Sequence, residues 1–150
     1  SGLTGLASMA FAHCSALIGL ELPSGIKEIS SLLFYECSAL KSIRIPAGVS
    51  IIGQWAFGKC LSLENVTIPE TVIEIKYCAF RGCTSLRNIK LPESLKTLEN
   101  EIFRECTGLE EIVIQGLSDT AKAAHTVILM LIPVGVLVLG IVVRLKRRFR

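Results

Sequence analysis

The sequence has few of the residues that build catalytic and metal sites. It contains two histidines, His13 and His125, and none of its six cysteines forms a C-x₂-C pair. A zinc-type site needs clustered cysteine and histidine ligands, and a nucleophile needs a base beside it. The first 115 residues hold one histidine and offer neither grouping. We therefore predict no catalytic residue, no metal site and no cofactor, and we expect the protein not to be an enzyme.

Positive charge is also scarce outside the last seven residues. The chain has 16 Lys and Arg against 13 Asp and Glu, and five of these cations lie in residues 144–150, leaving 11 cations in the other 143 residues. The basic residues of the tail are Arg144, Lys146, Arg147, Arg148 and Arg150. The net charge of +3 is thus a property of the tail. We expect neither a nucleic-acid partner nor a small-molecule substrate.

Five copies of a 23-residue repeat fill residues 1–115 without insertion or deletion. A fixed period of this length predicts a stacked solenoid. Three columns never change. They are Phe11, Phe34, Phe57, Phe80 and Phe103; Cys14, Cys37, Cys60, Cys83 and Cys106; and Leu17, Leu40, Leu63, Leu86 and Leu109. Because no single copy could bury its apolar face alone, the core must form by stacking one copy on the next.

Each copy contains the pattern of one short strand. Ile43-Arg44-Ile45 alternates apolar and polar residues, as a half-buried strand does. The spacing from Val49 to Ile52 indicates a second strand or a turn, and the Ala-Phe-x-x-Cys stretch suits one helical or 3₁₀ turn. The predicted fold is an α/β repeat: a solenoid of short parallel strands with short helical or 3₁₀ turns, followed by one transmembrane helix.

The cysteine column has two interpretations. Six cysteines allow 15 disulfide pairings, and neighbours in a stack about 4.8 Å apart satisfy the Cα spacing of a disulfide but exceed its usual ~3.8 Å Cβ separation. We favour a column of buried, unpaired thiols over disulfides. Cys78 stands outside the column and is interpreted as an unpaired, partly buried thiol, with a reactive surface thiol or an intermolecular link as the alternatives. His13 lies in a column of polar residues and is interpreted as solvated.

Two polar columns point outward from the predicted strands, on what would be the concave face. Their central members are the candidate ligand-facing residues Ser42, Arg44, Asn65, Thr67, Asn88 and Lys90. They are mildly basic and lack the aromatic side chains that anchor many interfaces. Weak, multivalent binding of an anionic glycan or an acidic protein is one hypothesis, and a merely solvated face is the other. Asn65-Val66-Thr67 is also an N-glycosylation sequon.

The C-terminal segment has the pattern of a membrane anchor. Residues 126–143 carry no charge, and as a helix these 18 residues would reach ~27 Å, close to the hydrocarbon core of a bilayer. Basic residues beside a span stay cytoplasmic, so the tail at 144–150 places the repeats outside the cell. Residues 116–125 form a short juxtamembrane linker. We predict a plasma-membrane protein with one span in the lipid bilayer and extracellular repeats.

The repeat resembles a known family. The pattern F-x-x-C-x-x-L-x-x-I-x-I-P, present from Phe57 to Pro69, is similar to that of the BspA-like leucine-rich repeats. The resemblance implies a leucine-rich-repeat solenoid on a microbial surface, and with an anchor it looks like protist surface families. It implies an adhesin with a protein or glycan ligand on host cells, matrix or microbes. The alternatives are a structural or antigenic coat protein, or a receptor ectodomain that signals through a partner. We also expect further repeats upstream of residue 1.

Overall fold

The computed structural model describes residues 2–114, which form a solenoid of short parallel strands. Four of the five copies contribute the strands of two ladders. The strands are β1 (Glu28–Ile29), β2 (Ser42–Arg44), β3 (Ile51–Ile52), β4 (Asn65–Thr67), β5 (Glu74–Ile75), β6 (Asn88–Leu91), β7 (Thr97–Leu98) and β8 (Glu111–Ile114). The second strand that the spacing of apolar residues indicated is therefore present.

Strand pairing follows the sequence period. Glu28 faces Ile51 and Ser42 faces Asn65, so each residue pairs with its equivalent 23 positions along the chain. One ladder is continuous in the order β1-β3-β5-β7, whereas the other consists of two pairs, β2-β4 and β6-β8. All pairs are parallel. The predicted solenoid of parallel strands is confirmed.

The core is a set of side-chain columns, as the repeat predicted. The phenylalanine rings stack with centroids 5.2 to 5.9 Å apart and planes within 15° of parallel. Phe34, Phe57 and Phe80 are fully buried, with leucine and isoleucine columns beside them. Burying such a side chain contributes about 1.5–3 kcal/mol. The rod is therefore held by contacts between copies.

The predicted helical turn is wrong, because alternate amides bond to different partners. Tyr35 N–H donates to the carbonyl three residues back, at Leu32, whereas Phe34 N–H donates to Ala56 of the next copy. A helix needs every amide for its own ladder. Residues 2–114 accordingly contain no helix, and none that could cross a membrane. The predicted linker, span and tail lie outside the described residues and stay predictions.

Two columns of these turns have the left-handed backbone conformation. One comprises Met9, Leu32, Trp55, Cys78 and Glu101, and the other His13, Glu36, Lys59, Gly82 and Glu105, with φ between 55° and 76° throughout. This conformation costs most residues about 1–2 kcal/mol. Glycine avoids that cost, which explains why it is accepted at Gly82. The members of each column share a backbone conformation but no common side chain. In the sequence the two columns therefore appear variable or solvated.

The cysteine column is buried and hydrogen-bonded, not cross-linked. All six cysteines are free. The Cys60 thiol donates to the Phe34 carbonyl at 3.1 Å, and the Cys83 thiol donates to Phe57 in the same way. The first member differs, because Cys14 is exposed. No described copy packs over its outer side, so the prediction of burial is wrong for Cys14 and confirmed for the other four.

Burial gives these thiols a dependence on alkaline pH. It raises the pKa of the Cys60 thiol from 9.0 to about 12 and raises that of Cys37 as well. Above pH 9 the unfolded thiols ionise while the folded ones stay protonated, so the unfolded state binds fewer protons. The stabilisation is complete below pH 9 and is lost as pH rises towards 12.

We predict that the free energy of unfolding falls above pH 9 by about 1.4 kcal/mol per pH unit for each such thiol. Cys60→Ala should lower stability at pH 7 but give a shallower alkaline slope. Cys14→Ala is the matched control and should change neither quantity. Urea unfolding followed by circular dichroism from pH 7 to 11 measures both, and an unchanged slope in Cys60→Ala would contradict the assignment.

Candidate functional site

The six predicted ligand-facing residues lie together on one surface. We call this surface the strand face and define it by the outward side chains of β2, β4 and β6. Its members are Ser42, Arg44, Asn65, Thr67, Asn88 and Lys90, and all six are exposed. Pairing of β2 with β4 places Ser42 beside Asn65 and Arg44 beside Thr67. Glycosylation of Asn65 stays a prediction, on a side chain that is accessible.

The cations of the strand face have no ion-pair partner. Among the described residues neither Arg44 nor Lys90 makes a salt bridge or a side-chain hydrogen bond. Both side chains are exposed, and the neighbouring strand residues Ser42, Asn65 and Asn88 are polar and uncharged. The face therefore keeps two positive charges available for a ligand.

The opposite surface pairs its charges internally. We call it the turn face, formed by residues 7–14 and their equivalents in later copies. Glu36 accepts hydrogen bonds from Lys59 at 2.9 Å and contacts His13 Nδ1 at 3.0 Å. Lys59 holds the pKa of Glu36 below its usual value, and Glu36 raises that of Lys59. Because exposed ion pairs contribute only about 0–1 kcal/mol each, these contacts mainly fix the side chains in place.

A second charged group continues the turn face. Arg81 contacts Glu101 at 3.3 Å and Glu105 at 2.6 Å, and Arg104 contacts Glu101 at 2.5 Å. The hydrogen bond from Arg81 lowers the pKa of Glu105. Glu101 and Glu105 belong to the turn that follows the turn of Arg81, whereas Arg104 and Glu101 lie in the same turn. The turn face thus joins copies to one another through most of its charges, although its Lys76 makes no salt bridge among the described residues.

Three aromatic residues that the sequence analysis did not select also lie on the turn face. Tyr35, Trp55 and Tyr77 make edge-to-face contacts with centroids 5.7 and 6.5 Å apart. Lys59 lies over the Tyr35 ring and Arg81 over the Trp55 ring, at 5.5 and 5.3 Å. The signal was available, since the three stand in consecutive copies, Trp55 within a left-handed column and Tyr35 and Tyr77 each next to one. With cations already on two of the rings, this group is structural.

Two residues that suggested chemistry do not form a site. Cys78 is fully buried, and its thiol lies 3.7 Å from the Glu101 carboxylate. It is buried because the Tyr77 and Arg81 side chains share that carboxylate, so both partial burial and a reactive surface thiol were wrong for it. His13 is exposed, as interpreted, and its side chain contacts Glu36 and Tyr35. Within residues 2–114 no three potential metal ligands converge.

Within residues 2–114 the strand face has a cleft at the C-terminal ends of β4 and β6. These strands are not paired, although β2-β4 and β6-β8 are. The cleft has a volume of about 230 Å³. Its lining residues are Val66, Thr67, Ile68, Glu70, Lys90, Leu91 and Pro92. Two candidate residues, Thr67 and Lys90, therefore lie in a concavity, while the other four lie on the open surface.

Comparison with known proteins identifies this repeat. The profile of the BspA type leucine-rich repeat region matches residues 3–124 as six copies, where we count five full copies in residues 1–115. No curated protein is significantly similar to the chain. Among solved structures, a leucine-rich repeat protein from Bacteroides ovatus superposes with a TM-score of 0.67 at 24% identity, over 75% of this chain and 37% of that one.

Two further structures have related sequences. A leucine-rich cell surface protein from Faecalibacterium prausnitzii gives a TM-score of 0.62 at 31% identity, over 65% of this chain and 26% of that one. The pneumococcal vaccine antigen PcpA gives 0.63 at 27% identity, over 65% and 24%. The chain therefore spans 24% to 37% of the length of these three proteins.

The packing of Trp55 on the turn face explains why residue 58 is a glycine. A Cβ at Gly58 would lie 2.5 Å from Trp55 Cε3. We predict that Gly58→Ala lowers the free energy of unfolding by about 1–3 kcal/mol, as overpacking does. In a Trp55→Leu background the same change should cost less, since Leu32 occupies that column in the preceding copy. Urea unfolding of the four proteins measures the coupling, and additive effects would contradict the contact.

Proposed function

Because the chain belongs to the BspA-type leucine-rich repeat family, we propose that it is a cell-surface binding protein that acts as an adhesin through its strand face. Its ligand would be a protein or glycan on host cells, matrix or other microbes. The candidate residues are the six outward residues of β2, β4 and β6. The Faecalibacterium relative, described as a cell surface protein, supports the surface assignment.

The observation that carries this proposal is the different use of charge on the two faces. On the turn face Glu36, Lys59 and Arg81 are engaged with one another or with other residues of the repeats. On the strand face Arg44 and Lys90 have no such partners among the described residues. A charge without an internal partner can steer and bind an acidic group of a ligand. Repetition along the rod would add avidity to weak individual contacts.

We further propose that the chain is held in the plasma membrane by residues 126–143, with the repeats outside and residues 144–150 in the cytoplasm. The support is the charge-free stretch followed by five basic residues.

A coat protein is the second candidate. The similarity to PcpA, described as a vaccine antigen, favours it. In that case the rod would act as a spacer, and the strand face would need no ligand. The two functions differ in whether the repeats bind host cells or matrix in a saturable way.

Charge reversal tests the strand face. We predict that Arg44→Glu/Lys90→Glu weakens binding of the detergent-solubilised chain to immobilised host matrix at least tenfold, because two attractive contacts become repulsive. Lys27→Glu/Lys96→Glu is the matched control: it makes the same charge change at exposed lysines outside the strand face and should leave binding unchanged. Surface plasmon resonance measures both. Equal affinities for the two double variants would remove the strand face as the binding site.

Topology is tested on intact cells. We predict that added protease removes the repeats while an epitope placed after Arg150 is protected, since the span would shield the tail. Permeabilised cells are the control and should lose the epitope as well. Survival of the repeats on intact cells, with digestion after permeabilisation, would refute the proposed orientation.

A further inference from the structure

Among β2, β4, β6 and β8 the ladder is interrupted between β4 and β6. Between other copies the flank of this ladder is hydrogen-bonded: Ile45 N–H donates to Thr67 O at 3.2 Å, and Glu110 N–H donates to Arg87 O at 2.8 Å. The equivalent bonds between β4 and β6 are not made within residues 2–114. The ladder on the other side runs through the same copies unbroken, from β3 to β5 and β7. The opening is therefore local to the strand face.

The missing bonds leave main-chain groups without protein partners. By the 23-residue correspondence the groups at the cleft are the N–H group of Ile68 and the carbonyl of Lys90. The N–H group of Arg87 and the carbonyl of Glu64 lack the equivalent bond at the other end of the strands, outside the cleft lining. Main-chain polar groups need a partner, and where the protein gives none, water or a ligand must supply it. Donors and acceptors occur together here. A ligand that both donates and accepts hydrogen bonds would complement them.

The side chains of the cleft add both signs of charge. Lys90 contributes an ammonium group without a salt bridge among the described residues, and Glu70 contributes a carboxylate whose Oε2 accepts from Glu93 N–H at 3.1 Å. Thr67 adds a hydroxyl group. The remaining lining residues are Val66, Ile68, Leu91 and Pro92, which are all buried. The cleft thus has little net charge, and its exposed side chains are polar.

We propose that this cleft binds a single uncharged, hydroxyl-rich sugar residue of a surface glycan. Sugar hydroxyls donate and accept at once, so they complement the Glu70 carboxylate, the Lys90 ammonium group, the Ile68 N–H group and the Lys90 carbonyl. The volume of about 230 Å³ lies below the ~300–1,000 Å³ of sites for drug-sized ligands, which suits one ring. Phosphate, sulfate or a sugar acid would meet the Glu70 carboxylate.

An added peptide strand does not fit the same opening. Insertion between β4 and β6 would require them to lie ~9.6 Å apart, twice the spacing of paired strands. Cα atoms of these two strands still approach within 8 Å of each other. The occupant is therefore smaller than a strand. This inference rests on the proposed function, because it names the ligand class for part of the strand face.

The test is a titration of the full-length chain in detergent with methyl glycosides of neutral hexoses and N-acetylhexosamines. Saturation-transfer difference NMR gives the affinity. We expect millimolar binding of at least one glycoside, weakened about tenfold by Glu70→Gln and by Thr67→Val, since the first replaces a charged acceptor with a weaker neutral one and the second removes a hydroxyl group. Glu93→Gln is the matched control. It stands in the same repeat column one copy later, does not line the cleft, and should leave affinity unchanged.

Three results would overturn the proposal. They are no binding of any neutral glycoside, binding that neither variant weakens, and a preference for inorganic phosphate or sialic acid over the neutral glycosides. Failure of the proposed function looks different. If the chain binds neutral glycosides but not cells or matrix, the cleft assignment stands and the adhesin does not. If it binds matrix through Arg44 but no glycoside, the adhesin stands and the sugar site does not.

Discussion

The stacking of each side chain on its own equivalent, 23 residues along the chain, is the contact on which the rest of the structure depends. The phenylalanine rings lie 5.2 to 5.9 Å apart because consecutive turns lie about one strand spacing apart. That spacing lets turn amides bond to the next copy and lets each buried cysteine reach a carbonyl of the preceding one. A copy without a neighbour loses this support, as the exposure of Cys14 shows.

The turn face and the strand face, which surround the stacked core, use their side chains differently. The turn face carries aromatic rings and charges that contact one another across copies, including Trp55 with Arg81 and Glu36 with Lys59. The strand face carries short polar side chains, two cations without partners, and a cleft where two strands separate. Ligand recognition by such a protein depends on positions whose charged and polar groups have no partner within the repeats. Both proposals place ligand binding there for that reason.

Most of the fold could be predicted because the 23-residue period is visible in the spacing of residue types along the chain. The apolar columns, the strands and the outward position of Arg44 and Lys90 all follow from alternation and register. The helical turn was predicted wrongly because i, i+3 spacing also fits a chain of tight turns whose alternate amides bond to the next copy. Cys78 was misjudged since its burial comes from Tyr77 and Arg81, which cover it from adjacent columns.

The sequence by itself determined the repeat, its family, the buried columns and which residues face outward, since each of these needs only the spacing of residue types along one chain. The tertiary structure alone decided which outward residues are engaged. In the tertiary structure the turn-face charges pair with one another, and Tyr35, Trp55 and Tyr77 meet edge to face. Arg44 and Lys90 have no partners among the described residues, and a cleft lies beside Thr67. These outcomes depend on side-chain reach and hydrogen-bond geometry between neighbouring copies. The alignment of the repeats shows which residues are equivalent in neighbouring copies, but it does not show which side chains contact each other.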